Sequence, residues 1–444
     1  MKKGFLALLL CLPLLLAACG DTQAPPPVSG GTSAPSEAST PEEDTGAAPL
    51  IVWTEPDSSR GVARLSKLLE KNEPGLSVEV VALPEYDDAN RDEELKRLRT
   101  ELLAGKGPDL FLLTEHQIGD SASSFFPAAE KTMRTGVFQN LGPYFQADPE
   151  LAEDNFIAPV FNAGVVDGKR YVVPLQYGYD YYYADDDDSL TAAGLSEADF
   201  AGDFAAYAKA AASSEKGAAR LGQFDFIGVY PCFSGSPFDY TAGTFSADPK
   251  TFRALLELET AAGKSFQILG GNSLPTGIRS GRGYSDMPPD GLGCIGLPIR
   301  NDAGKITPRV TAYAAVYAGS KRTEDALKLV KLLLSETLQR GEELIVDGEY
   351  YSYEILDEAG IRQVASLITF DSGFGLPVRK GCCQNEILAA WESELDTAVF
   401  QSEGDQMLAR YLGQCFEAGR QGETPDYDAI MEKAAQELGK YAAE

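Results

Sequence analysis

Residues 50–114 read LIVWTEPDSSRGVARLSKLLEKNEPGLSVEVVALPEYDDANRDEELKRLRTELLAGKGPDLFLLT, and their hydrophobic pattern decides the fold class. Leu50 to Trp53 is a short apolar run, the mark of a buried strand. After a polar loop, Thr54 to Arg60, the residues Val62, Leu65, Leu68 and Leu69 fall at helical spacing. Leu76, Val78 and Val80 alternate as a strand does, and Leu95, Leu98, Leu102 and Leu103 mark a second helix. Gly105-Lys106-Gly107-Pro108-Asp109 breaks that helix before the buried strand Leu110 to Leu113. A βαβαβ order predicts a parallel sheet flanked by helices, with ligands beyond the carboxyl ends of the strands. Those ends carry Trp53-Thr54-Glu55 and Thr114-Glu115-His116.

Upstream of this body the composition changes twice. Lys2 and Lys3 precede the apolar run Gly4 to Leu16, which is too short to span a bilayer and fits a signal-peptide core. It ends in Leu16-Ala17-Ala18-Cys19, which resembles a bacterial lipobox, so Cys19 is expected to carry the lipid anchor and residues 1–19 to form the leader with its lipidated cysteine. Residues 20–49 are rich in Pro, Ser, Thr and acids, cannot bury a core, and read as a tether reaching roughly 30 Å. The expected location is the outer face of the cell membrane.

Charge and composition remove several functions. With 38 basic and 67 acidic residues the net charge is −29, so a phosphate backbone is repelled and nucleic acid is not an expected partner. His116 is the one histidine, which excludes a histidine-rich metal site; no metal and no cofactor is expected. The Gly-x-Ser-x-Gly nucleophile elbow is absent, and Ala261-Ala262-Gly263-Lys264-Ser265 imitates only half a phosphate loop, in a stretch that reads as helix. Asp185 to Asp188 reads as a solvated loop rather than a calcium loop, whose ligands are spaced. After cleavage five thiols remain, Cys232, Cys294, Cys382, Cys383 and Cys415, and a Cys415 bridge to Cys382 or Cys383 is the expected pairing if any forms.

Four stretches, taken in order, resemble the family 1 extracellular solute-binding proteins, the group that includes maltose-binding protein. They are Leu103 to Asp109 leading into a strand; Asp167-Gly168-Lys169-Arg170-Tyr171-Val172-Val173-Pro174 with Tyr182 to Asp185; Gly296-Leu297-Pro298 with Gly304, Ala314 to Ser320 and the helix Thr323 to Ser335; and Leu376 to Arg379 with Ala418-Gly419-Arg420 and the closing helix. The likeness runs from Leu50 to Glu444. It departs where Asp199 to Phe204 replaces a family Trp, in the lack of a clear ligand strand before Gly296, and in the length of 341–374.

The resemblance implies an α/β, two-lobed periplasmic-binding-protein (Venus-flytrap) fold of type II, closing on ligand about a hinge. Residues 50–172 with 312–345 would form one lobe, and 173–311 with 346–444 the other. The implied function is capture of a small solute, a sugar or oligosaccharide before a peptide or other polar solute, by a monomer that delivers it to an ABC permease without catalysis. A sensor or adhesion lipoprotein on the same fold is the alternative. By analogy with maltose-binding protein the loop after the first strand, Glu55 to Ser58 including Asp57, is the expected first-lobe contact. The remaining candidates are Trp53, Glu115 and His116 at strand ends, Tyr177 and Tyr179 in the tyrosine-rich crossing segment, and Phe233. Tyr177, Tyr179, Tyr181 and Tyr183 share one strand face and Tyr182 takes the other. Which face is core and which meets ligand stays open, as it does for the Trp53 ring.

Overall fold

The computed structural model describes residues 48–114, 124–192, 196, 198, 236–269, 278–281, 294–301, 303–340, 345–346, 349–350, 353–356, 362–365 and 375–443. Cys19, the tether up to residue 47, Glu115, His116, Cys232 and Phe233 lie outside them.

Strand β1 (Leu50–Thr54) feeds helix α1 (Pro56–Asn72), which begins inside the stretch expected to be loop. Pro56 sits in the first turn, where its missing N–H costs nothing, and Asp57 there and Lys71 in the last turn complement the helix dipole. The residues at helical spacing, Val62, Leu65, Leu68 and Leu69, are all buried. Strand β2 (Val78–Ala82) and helix α2 (Arg91–Leu103) follow. On α2 Leu95 and Leu102 are buried, whereas Leu103 is 82% exposed and off the packed face. Gly105 then turns the chain at φ +82°, which favours glycine, into β3 (Leu110–Thr114). Helix α3 (Ala129–Met133) precedes strands β4 (Val173–Gly178) and β5 (Tyr181–Ala184). Next come α4 (Pro249–Leu269), β6 (Ile278–Gly281), β7 (Ile295–Pro298), β8 (Arg309–Val316) and α5 (Thr323–Leu333). Strand β9 (Leu376–Pro377) and helices α6 (Glu403–Arg420) and α7 (Tyr427–Ala443) close the chain.

Six strands make one sheet in the order β9-β4-β8-β3-β1-β2. The expected parallel core is there: β1 runs parallel to β2 and β3, with Trp53 opposite Val81 and Phe111. The sheet is mixed because β8 is antiparallel to β3 and β4, and its pairing with β4 is irregular between Val310 and Tyr313. A second sheet has the order β6-β5-β7, all pairs antiparallel.

Two hydrophobic cores result, and β5 separates them. Tyr181 and Tyr183 pack into the core of the six-stranded sheet, while Tyr182 and Ala184 pack into the core built on α4, α6 and α7. The period-two alternation read from the sequence therefore sends one strand's two faces to two cores. The second core closes where α4 and α6 touch backbone to backbone. A Cβ on Gly263 would lie 2.0 Å from the Phe416 carbonyl oxygen, and one on Gly419 would lie 2.1 Å from that of Thr260. The half phosphate loop is thus interior helix, with its glycine serving close packing.

Two expectations need correction. The crossing between lobes was set after Val172, but β4 is an inner strand of the six-stranded sheet, hydrogen-bonded to β8 and β9 and buried along its whole length. β9, assigned to the second lobe, belongs to the same sheet, and Leu376 and Val378 lie in its core. The chain leaves this sheet after Gly178. Among the described cysteines, Cys294, Cys382, Cys383 and Cys415 form no disulfide with one another, so the pairing expected if any bridge formed is not made. Cys415 is buried in the second core and Cys383 packs against the first, so the pair is kept apart by the fold. Burial pushes the Cys415 thiol up to about 11, and it stays protonated.

Candidate ligand-binding site

The carboxyl ends of β1 and β3 open onto a small recess of about 30 Å³. Glu55 enters it from the turn after β1, and Leu113 and Thr114 from the end of β3. Ser124, Phe125 and Phe126 come from the segment before α3, Val310 and Tyr313 from β8. Phe400, Gln401, Ser402 and Gln406 close it from the N-terminal end of α6. This is the position at which an open α/β sheet binds ligand.

Aromatic rings make much of the wall. Phe125 and Phe126 meet edge to face at 4.7 Å, and Tyr313 and Phe400 at 5.5 Å with planes 87° apart. Arg99 holds the Phe125 side in place, donating from Nε to the Phe125 carbonyl at 2.8 Å and from Nη2 to that of Ser124 at 2.7 Å. Between the rings stand neutral hydrogen-bonding groups: the Thr114, Ser124 and Ser402 hydroxyls and the Gln401 and Gln406 amides. Gln401 Nε2 is buried without a protein acceptor.

Glu55 is the one ionisable carboxyl among the described lining residues, and it is 4% exposed. Its carboxyl stands above the ordinary range because burial dominates; the Arg91 guanidinium, 3.0 Å from Oε2, and a hydrogen bond from Tyr86 offset that only in part. Behind the wall, Glu130 on α3 accepts from the Phe400 amide and stands near Asp405. Burial and that like charge push Glu130 up to about 7, and burial pushes Asp405 up to about 6. Asp405 and Ser402 form a reciprocal cap on α6: Ser402 N and Oγ both donate to Asp405 Oδ2 at 2.8 Å, and Asp405 N donates back to Ser402 Oγ at 3.3 Å.

The candidates from sequence separate cleanly. Glu55 lines the recess. Asp57 is exposed in the first turn of α1 and acts on Glu55 only through its charge. Trp53 is 7% exposed and buttresses the wall from behind, edge to face with Phe125 at 5.6 Å and with Phe111 at 6.0 Å. Tyr177 and Tyr179 are each 1% exposed in the core; Tyr179 packs against Trp391 and donates to the Leu388 carbonyl at 3.3 Å. Tyr177 sits on an inner strand of the six-stranded sheet, whose two faces are covered, and Tyr179 follows it in the buried connection to β5. Glu115, His116 and Phe233 fall outside the described residues. The residues that sequence reading passed over are Phe125, Phe126, Tyr313, Phe400, Gln401 and Gln406. A signal existed for the last group: Ser402-Glu403-Gly404-Asp405 is a capping box, which places whatever precedes it at a helix mouth.

No protein-family model and no curated protein matches the sequence. Solved structures do match the fold. The sugar-binding protein MalE from Xanthomonas citri aligns with 89% of this chain and 98% of its own, at 14% identity and a TM-score of 0.59. An extracellular solute-binding protein family 1 member from Alicyclobacillus acidocaldarius aligns over 90% and 100%, at 14% identity and 0.53. An ABC substrate-binding protein from Listeria monocytogenes, in complex with cycloalternan, aligns over 88% and 98%, at 14% identity and 0.52. The chain has the two-lobed α/β fold of the MalE-like and family 1 extracellular solute-binding proteins.

Proposed function

We propose that the chain captures a small uncharged, hydroxyl-rich solute, a sugar or oligosaccharide, outside the cell and delivers it to an ABC permease. One observation supports the reading: among the described residues, a recess beyond the carboxyl ends of β1 and β3 is walled by aromatic rings, neutral amides and hydroxyls, and a single carboxyl paired with Arg91. Sugar C–H faces stack on rings, and sugar hydroxyls both donate and accept. Phe400, Gln401, Ser402 and Gln406 line the recess together with Glu55 and Thr114, so a ligand there touches both the first sheet and the N-terminal end of α6. The sugar-binding MalE and the cycloalternan complex support the same class of solute. The reading is of a binding protein, not an enzyme: these groups hold a ligand and leave its bonds alone. Lipidation of Cys19, a tether over 20–49 that lets a monomer reach the permease, and a location on the extracytoplasmic face of the cell membrane complete the proposal; they rest on the lipobox-like Leu16-Ala17-Ala18-Cys19 and the composition that follows it.

A thermal-shift screen tests it, with maltotriose, cycloalternan, chitotriose and neutral monosaccharides against cationic amino sugars and peptides. A cognate neutral sugar stabilises the native state by about 2.7 kcal/mol at a hundredfold excess over Kd and raises Tm by several degrees. Stabilisation by peptides or amino sugars with no neutral sugar active would overturn the reading.

A further inference from the structure

The loop ends of the three parallel strands meet in one hydrogen-bonded group behind the recess. Glu55 follows β1, Tyr86 follows β2, Thr114 ends β3, and Arg91 opens α2. Arg91 and Glu55 are 2% and 4% exposed. Arg91 Nη2 donates to Glu55 Oε2 at 3.0 Å, and Nη1 donates to the Pro84 carbonyl. The Tyr86 ring lies against the guanidinium, its centroid 4.6 Å from Cζ, and its hydroxyl hydrogen-bonds with Glu55 and Thr114. Among the described residues, Asp57 of α1 also acts on Glu55 through its charge. Glu55 and Thr114 line the recess; Arg91 and Tyr86 do not.

Charge and valence give this arrangement a task. An ionised carboxylate offers about four acceptor positions. Arg91 and Tyr86 engage two, and Glu55 is also a lining residue of the recess. A buried carboxylate with no cation takes up a proton and turns from acceptor to donor. A guanidinium keeps its charge in a protein, so Arg91 is the group that lets an acceptor-only side chain stand in a dry wall.

We infer that Arg91 and Tyr86 are positioning residues that hold Glu55 as a fixed, ionised acceptor, so that the recess selects its ligand by a hydroxyl the ligand donates. The inference rests on the solute-capture reading above and deepens it. A ligand analogue lacking that hydroxyl leaves the buried acceptor unmatched, which is where polar sites discriminate most strongly. Arg91→Lys keeps the charge but loses the two-pronged reach to Glu55 and Pro84.

The test uses the full chain with carbon-13-labelled Glu carboxyls, assigned through Glu55→Gln. Two readouts are taken: the Glu55 titration without ligand, and the pH profile of Kd for the tightest-binding neutral sugar of the panel above. Arg91→Gln moves the Glu55 midpoint upward, Tyr86→Phe moves it upward by less, and Arg91→Lys stays nearest the unsubstituted chain. In Arg91→Gln sugar affinity becomes pH-dependent, weaker by about tenfold or more where Glu55 holds its proton, the size of a lost hydrogen bond to a charged group. Should Arg91→Gln not fold, Tyr86→Phe carries the same test, because it removes one hydroxyl and leaves the ion pair. A Glu55 midpoint unmoved by these variants, or a loss of sugar affinity with no pH dependence, overturns the positioning role. Absence of neutral-sugar binding by the unsubstituted chain overturns the capture reading instead, and the ligand-free titration separates the two.

Discussion

The Asp180 carboxylate and the Arg309 guanidinium meet at 3.4 Å with side chains 1% and 6% exposed, at the point where the chain passes between its two cores. Asp180 lies between β4 and β5, and Arg309 begins β8. Each therefore sits on a different connection through the crossing. The backbone binds the same place: Ile299 N–H donates to the Asp180 carbonyl, and Val310 N–H to the Val399 carbonyl at 2.9 Å. Removing one member leaves a buried charge unanswered, so Asp180→Ala should cost about 3–5 kcal/mol in urea unfolding. The double variant Asp180→Ala/Arg309→Leu should cost less than the sum of the two singles. Strict additivity would show that the pair is not coupled.

The Glu130 and Asp405 carboxyls set a pH dependence of definite sign. Both have folded-state values above their ordinary ones, about 7 and about 6. The folded state therefore binds protons more readily than the unfolded chain, and the contribution is fully present below about pH 4. It is lost as pH rises through 6 for Asp405 and through 7 for Glu130. For Asp405, a rise from 3.8 to about 6 corresponds to on the order of 3 kcal/mol. Tm should fall between pH 5 and pH 8, and Glu130→Gln should flatten that slope. A Tm that climbs with pH over this window contradicts the assignment.

Gly263 and Gly419 fix how closely α4 and α6 approach. A Cβ at either position meets a backbone carbonyl oxygen of the other helix at 2.0 or 2.1 Å, and backbone cannot rotate away as a side-chain tip does. Gly263→Ala should therefore destabilise, by about 1–3 kcal/mol or more, although alanine is the better helix former by about 1 kcal/mol. Gly413→Ala on the same α6 meets nothing within 4 Å and should be neutral or stabilising. Equal effects of the two alanines in chemical denaturation would refute close packing as the cause.

Local pattern made the first three strands and two helices legible: β1 and β3 as short apolar runs buried on both faces, the helices by apolar residues at helical spacing, of which Val62, Leu65, Leu68 and Leu69 are the clearest case. The tyrosine alternation was equally readable, since Tyr182 parts from Tyr181 and Tyr183 by pleat alone. Long-range pairing was not. Nothing in Leu376-Pro377 announces that it hydrogen-bonds to Tyr177 and Gln176, about two hundred residues earlier in the chain, so the sheet's far edge was assigned to the wrong lobe. The site suffered most from this. Phe125, Tyr313 and Phe400 come from three distant segments, and their convergence is a product of topology. The tyrosines drew attention by density, yet density of rings marks core more often than cleft.

Trp53 and Tyr313 separate scaffold from site in one experiment. Trp53 touches Phe111 and Phe125 edge to face and lies behind the wall, whereas Tyr313 lines the recess beside Phe400. Trp53→Ala leaves a ring-sized void in the first core and should cost about 3–5 kcal/mol of stability. Its effect on a neutral sugar's Kd should be small once the folded fraction is corrected for, because the ring does not border the ligand. Gln406→Ala, half-buried at the start of α6 and also lining the recess, should leave the unliganded Tm within about a degree and weaken the sugar by about 0.5–1.5 kcal/mol, the value of one neutral hydrogen bond. Tyr313→Phe retains the ring and should fall between the two, losing affinity only where the ligand uses the hydroxyl. Unfolding curves and calorimetric titration on the same samples give both quantities. If Trp53→Ala abolishes binding in fully folded protein while Gln406→Ala and Tyr313→Phe leave it untouched, the ligand lies elsewhere than between β3, β8 and α6.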